Sequence, residues 1–240
     1  MYKILTGTDT EQLGKIIPKV DYTAALSPFD GSEAVIKACE TVKRYGFATV
    51  CVYPTWVALA KQHMQGSDKG ILVTVGFPHG STTTQAKVAE TRQCCEDGAT
   101  EVDMVVNIAR LLDGDYDYVK EEIAAVVKCA GAYGVGVKVI LETGYLSDEQ
   151  KVTAARLSAQ AGAEYVKTCT GFGPGKASLH DIILLKNAVG DKAKVKASGG
   201  VASLEDQLLF IENGADRVAG RGNIVDQLDE IGYRPYSQSI

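Results

Sequence analysis

The sequence predicts an α/β fold: a single-domain (β/α)8 TIM barrel over residues 1–240, opened by a short N-terminal helix. Three observations predict it. Short runs rich in valine and isoleucine, closed by Gly or Thr, recur as buried parallel strands do. Segments of helical periodicity lie between them. One pattern also repeats, in Gly98-Ala-Thr-Glu-Val-Asp103, Gly162-Ala-Glu-Tyr-Val-Lys167 and Gly214-Ala-Asp-Arg-Val-Ala219, with Gly46-Phe-Ala-Thr-Val-Cys51 a looser copy. In each copy a helix ends on a glycine cap and a strand begins.

Thr8 and Glu11 have capping-box spacing, so the opening helix runs from Asp9 to Ile17, and Pro18 ends it. Strands are expected at 17–22, 47–53, 71–76, 101–106, 136–142, 164–169, 194–198 and 216–219, eight in all. From Ser32 to Tyr45 the residues Ala34, Val35, Ala38, Val42 and Tyr45 follow helical spacing before Gly46. Further helices are expected at 82–97, 116–132, 147–161, 178–189 and 203–213. No linker or low-complexity stretch divides the chain. The tail, 232–240, is short and polar, carries Tyr233 and Tyr236, and reads as a flexible end.

Composition narrows the function classes. A chain of 240 residues, 45% hydrophobic, buries a sizeable core without staples. A net charge of −5 argues against a nucleic-acid partner. No apolar run approaches the roughly twenty residues of a membrane span, and the N-terminus lacks the apolar region of a signal peptide. Cys39, Cys51, Cys94, Cys95, Cys129 and Cys169 form no C-x-x-C pair, so reduced thiols in the cytoplasm are expected and a metal site is not. Gly171-Phe-Gly-Pro-Gly175 has the spacing of neither a dinucleotide motif nor a P-loop, and no cofactor is expected.

The chemistry lies in lysines. Lys138, Lys167 and Lys196 each sit inside an apolar strand run, where an ammonium is costly. Crowding them into one interior depresses their pKa values and makes one a neutral amine, the nucleophile of Schiff-base chemistry. The fifth residue after each repeat glycine has the same phase, so Cys51, Asp103, Lys167 and Ala219 face the same way. Barrel sites lie where strands end, and Asp21, Cys51, Asp103, Lys167 and Lys196 are expected at or near those ends. Lys138 sits lower, below Glu142, and is either part of this set or a structural partner for a carboxylate. Lys194 reads as a solvated lysine at the barrel bottom, and Cys51 as packing rather than chemistry.

Barrels often hold phosphate on the loops after strands seven and eight. Ser198-Gly199-Gly200 and Gly220-Arg221-Gly222-Asn223 fall there, and Thr170 and Gly171 after strand six add donors. Gly199 and Gly200 allow close backbone approach, and Arg221 adds a charge-assisted bond.

With Val-Asp21-Tyr-Thr, Val-Cys51-Val-Tyr-Pro, Gly76-Phe-Pro-His-Gly80 and Glu-Val-Asp103-Met-Val, these stretches resemble the deoxyribose-phosphate aldolase family over nearly the whole chain. Val-Lys138-Val-Ile-Leu-Glu-Thr-Gly144, Val-Lys167-Thr-Cys-Thr-Gly-Phe-Gly173 and Val-Lys196-Ala-Ser-Gly-Gly-Val201 complete the match in order. The resemblance implies a class I aldolase that cleaves 2-deoxy-D-ribose 5-phosphate to acetaldehyde and glyceraldehyde 3-phosphate without a metal, and a homodimer. It implies Lys167 as the Schiff-base lysine, a choice the residues alone leave open against Lys138 and Lys196. Lys196 would lower the Lys167 pKa, and Asp103 and Lys196 would shuttle protons. Asp21 would hold a substrate hydroxyl, Cys51 would line the acetaldehyde side, and Glu142 and Thr143 would support the lysine network. The chain departs from the family after the last strand: Arg217-Val-Ala-Gly-Arg221-Gly replaces a pattern like Arg-Ile-Gly-Ala-Ser. Either Arg221 and the Gly199-Gly200 backbone hold phosphate instead, or the acceptor differs. A different short sugar phosphate, or a catalytically idle phosphosugar-binding barrel, are the alternative functions.

Overall fold

The computed structural model describes residues 9–233. Eight parallel strands close in sequence order: β1 (Val20–Ala25), β2 (Thr49–Val52), β3 (Gly70–Val75), β4 (Glu101–Val105), β5 (Gly136–Ile140), β6 (Tyr165–Lys167), β7 (Lys194–Ala197) and β8 (Arg217–Gly220). Around them run α1 (Thr10–Ile16), α2 (Ser32–Tyr45), α3 (Val57–His63), α4 (Thr84–Asp97), α5 (Ile108–Leu112), α6 (Tyr116–Gly131), α7 (Asp148–Gln160), α8 (Leu179–Val189), α9 (Leu204–Glu212) and α10 (Gly222–Glu230). The seam between β1 and β8 pairs Asp21 with Ala219, so no strand edge is left open to another chain.

The helices form where the sequence caps them. The Thr83, Asn107, Asp115, Ser147, Ser178 and Ser203 side chains each accept from a first-turn amide, and Ser147 with Gln150 makes a full capping box. Gly46 and Gly98 close α2 and α4 at φ +80° and +109°, the left-handed cap that glycine reaches without strain. Each helix turns an apolar stripe onto the barrel's outer face; in α6 it is Val119, Ile123 and Val126, all fully buried. Burying each such side chain contributes about 1.5–3 kcal/mol.

Three helices lie outside the sequence expectation. α3 and α5 have seven and five residues, too short for a periodic pattern to show. α10 carries a readable signal, Ile224 and Leu228 one turn apart and both buried. The first strand is also shifted. Ile17-Pro18-Lys19 is a 3-10 turn, where proline fits at the first positions, and β1 starts at Val20. The Thr8 cap lies outside the described residues. In the tail, Tyr233 stacks on Tyr45 with ring centroids 6.5 Å apart; Tyr236 lies outside the described residues. No helix among the described residues is long and apolar enough to cross a membrane.

Candidate active site

A barrel interior is ordinarily filled by Val, Ile and Leu. Here the inward positions carry charge. Register sets Asp103 beside Lys138, Lys167 beside Lys196, and Lys196 beside Arg217 on neighbouring strands. Lys138, Lys167, Lys196, Asp21 and Asp103 are all buried.

Asp103 is the hub. Its Oδ2 accepts from Lys167 Nζ at 2.7 Å and from Lys196 Nζ at 2.8 Å, while Lys138 Nζ stands 3.6 Å from Oδ1. Burial alone would raise this carboxyl, but Lys167, Lys196 and Lys138 outweigh it and hold it well below the usual carboxylate range. Lys196 also lies 2.7 Å from Asp21 Oδ2. Burial disfavours its ammonium, yet Asp103 and Asp21 overcome that and raise its pKa. Lys167 ends the other way. Burial lowers its pKa, Asp103 opposes that, and Lys196 adds to it, leaving the amine below its ordinary value. Two neighbouring lysines are thus driven apart, one towards the free amine and one towards the ammonium.

Lys167 is the last residue of β6 and lines a cavity of about 240 Å³ at the barrel mouth. Thr170, Gly171, Gly199, Gly200 and Arg221 line the same cavity, so the structure brings Lys167 together with the phosphate candidates expected from sequence. Gly199 and Gly200 take φ +91° and +67°, and a Cβ on Gly199 would meet Cys169 Cβ at 2.6 Å; the bend exists because both lack side chains. Arg221 is the N-cap residue of α10, and its guanidinium lies 4.0 Å from where a Gly171 Cβ would be. Lys176 packs its stem against Gly200.

Cys51 is buried beside Lys167 and Lys196 in a small apolar cluster with Leu26 and Leu72, and burial pushes its thiol up to about 12. A neutral thiol suits the packing expected of it.

Two expectations change. Asp21 is the second residue of β1, at the lower end rather than the mouth, because that strand starts later than the sequence suggested. It is fully buried, accepts from Thr49 Oγ1 at 2.8 Å, and pairs with Lys196 and Arg217. Glu142 and Thr143 do not reach the lysines. Glu142 accepts from the Thr170 hydroxyl and, at 3.1 Å, from the Thr170 amide, while Thr143 donates to Asp181 at 3.0 Å. They brace the loop after β6.

Two residues of the network lie outside the sequence expectation, Glu101 and Arg217. Glu101 pairs with both Lys138 and Arg217, and Arg217 Nη1 lies 2.9 Å from Asp21 Oδ1. The signal was available: each sits two residues before an inward position, Asp103 and Ala219, and side chains alternate along a strand. Lys138 is held by Glu101 and lies 5.4 Å over the Tyr165 ring, the arrangement of a structural partner. Lys194 is exposed and pairs with Glu164 at 3.0 Å, as a solvated lysine would.

The model of the DeoC/LacD family aldolases matches residues 15–227. A deoxyribose-phosphate aldolase of Caldanaerobacter subterraneus is 46% identical over 89% of this chain and 93% of its own length. One from Thermococcus gammatolerans is 47% identical over 83% of this chain and 89% of its own. A solved structure, described as a unique tetrameric structure of deoxyribose phosphate aldolase from Aeropyrum pernix, superposes with a TM-score of 0.83 at 28% identity, covering 93% of this chain and 94% of that one. A buried lysine pair around one aspartate, at the mouth of a closed eight-stranded barrel, is thus set in a chain that belongs to the DeoC/LacD aldolase family.

Proposed function

We propose that this chain is a deoxyribose-phosphate aldolase, reversibly cleaving 2-deoxy-D-ribose 5-phosphate to acetaldehyde and D-glyceraldehyde 3-phosphate through a Schiff base on Lys167. The observation that carries the reading is the opposed pair: Lys167, lowered and open to the cavity, beside Lys196, raised and doubly paired. Neutral Lys167 Nζ attacks the C1 aldehyde, and loss of water gives the iminium. The C3 hydroxyl gives up its proton, the C2–C3 bond breaks, and its electron pair moves into the iminium as an enamine. Glyceraldehyde 3-phosphate leaves. Protonation at C2 and hydrolysis release acetaldehyde and restore the amine. Asp103 and Lys196 carry the protons, since both contact the Lys167 environment directly and hold opposite charges.

Arg221, the Gly171, Gly199 and Gly200 backbone and the Thr170 hydroxyl bind the substrate and its phosphate. A cation at this rim supplies what the missing serines would have supplied, which supports a phosphorylated substrate. The partners are small phosphosugars and aldehydes. A homodimer in the cytoplasm, working without a cofactor, is the setting proposed.

The test is borohydride trapping with acetaldehyde, read by intact mass and peptide mapping. One ethyl group on Lys167 is expected. A folded protein that gains no adduct, or gains it elsewhere, overturns the reading.

A further inference from the structure

The interior charges do not balance. Four cations, Lys138, Lys167, Lys196 and Arg217, share three carboxylates, Asp21, Glu101 and Asp103. Buried charge in excess is expelled, and for a lysine the route is loss of a proton. Arg217 cannot take that route, because guanidinium keeps its proton at any ordinary pH. Lys196 meets two carboxylates, at 2.7 and 2.8 Å. Lys138 meets Glu101, with Asp103 and Asp21 at 3.6 and 4.0 Å. Lys167 meets one oxygen, Asp103 Oδ2, which it shares with Lys196. The surplus therefore falls on Lys167.

We infer that Arg217 is a positioning residue for the reaction: by occupying Asp21 and Glu101 at the barrel bottom, it leaves the interior one carboxylate short and so keeps Lys167 a free amine. This rests on Lys167 being the Schiff-base lysine. Arg217 reaches neither the cavity nor Lys167 itself; it acts through Asp21, which bridges Arg217 and Lys196. The charged groups that act on Lys167 directly are Asp103 from β4 and Lys196 from β7; Lys138 from β5, Glu101 from β4 and Asp21 from β1 are linked to it through those two. The Cys51 thiol from β2, pushed up by burial, adds no charge to the count, and the Tyr165 ring on β6 packs under Lys138.

The sign follows. Imine formation needs the neutral amine, so its rate rises with pH through the Lys167 pKa. Replacing Arg217 by methionine makes cations and carboxylates equal, Lys167 keeps its proton longer, and the midpoint of the acid limb moves up. Arg217→Lys restores the charge and leaves the midpoint near wild type. Glu101→Gln removes a carboxylate and does not raise it, and Arg217→Met added to Glu101→Gln raises it relative to Glu101→Gln alone.

The experiment is the pH dependence of borohydride trapping with acetaldehyde in wild type, R217M, R217K, E101Q and the double variant. The expected shift in R217M is about one pH unit upward, the size of an interior charge felt across one ion pair. Equal midpoints in wild type and R217M, with trapping slower at every pH, make Arg217 structural and overturn the inference. Should R217M not fold, equal midpoints in E101Q and the double variant overturn it as well. Absence of any Lys167 adduct in wild type strikes the aldolase reading instead, so the two failures are told apart.

Discussion

Asp103→Asn separates the two jobs that one carboxylate performs. The change is nearly isosteric and removes the charge that Lys167 and Lys196 share at 2.7 and 2.8 Å. Lys196 keeps Asp21 at 2.7 Å and stays charged, whereas Lys167 loses its only carboxylate contact among the described residues. Its pKa, already lowered by burial, falls further, so the neutral amine is more abundant at pH 7 rather than less. Imine formation should therefore survive. Carbon–carbon cleavage should not, because the proton relay is gone; a positioned acid–base group is worth about 10²–10⁴ in rate, or about 3–5 kcal/mol in barrier. The assay pairs single-turnover borohydride trapping with acetaldehyde against steady-state cleavage of 2-deoxyribose 5-phosphate. Trapping is expected within about tenfold of wild type while kcat falls at least about 100-fold. A parallel loss of both, in folded protein, would show that Asp103 is needed to make Lys167 nucleophilic and would refute this reasoning.

Other expectations can be checked alongside. Lys87 on α4 and Glu122 on α6 form a fully buried pair at 2.7 Å, and burial lowers the lysine's pKa and raises the glutamate's. Lys87→Met or Glu122→Leu alone should cost about 3–5 kcal/mol in urea unfolding, and the double variant much less than their sum; additive losses would contradict this. For Asp21 burial favours the neutral acid, but Lys196, Lys138 and Arg217 hold the folded carboxyl down at about 2 from 3.8. A depressed carboxyl stabilises the fold above its unfolded pKa, and that contribution is lost as pH falls from near 3.8 towards 2. Asp21→Asn should remove about 2 kcal/mol of that acid dependence, measured by urea unfolding from pH 6 to 2.5; an unchanged slope would count against the pairing. Arg221→Ala should raise KM for the phosphorylated sugar about tenfold or more and leave unphosphorylated 2-deoxyribose unaffected. Equal effects on both sugars would place Arg221 outside the phosphate site.

The strands were legible because their starts repeat. A glycine cap followed by a fixed number of residues sets phase, so Cys51, Asp103, Lys167 and Ala219 could be placed on the inward face before any distance was known. Asp21 has no such marker. Ile17-Pro18-Lys19 reads equally as an extended run or a turn, and a shift of three residues moves an aspartate from mouth to floor. Glu142 departs from expectation for a different reason. It takes φ +55°, the one positive-φ non-glycine residue among those described, so alternation along β5 stops before it and its carboxylate turns towards Thr170. Partner choice among seven interior charges is a matter of ångströms, and no periodicity reports that.

The barrel's closure also decides when its chemistry can begin. Lys167 meets Asp103 across 64 residues of chain, and Asp103 meets Lys196 across 93. Asp21 and Arg217 join only when the first and last strands do. Until then Lys167 is an ordinary solvated lysine, protonated and inert towards aldehydes. A nascent or half-folded chain therefore carries no loose electrophile trap into a cell full of reactive carbonyls. The amine becomes reactive only once walls surround it, and closing the seam between β1 and β8 completes those walls.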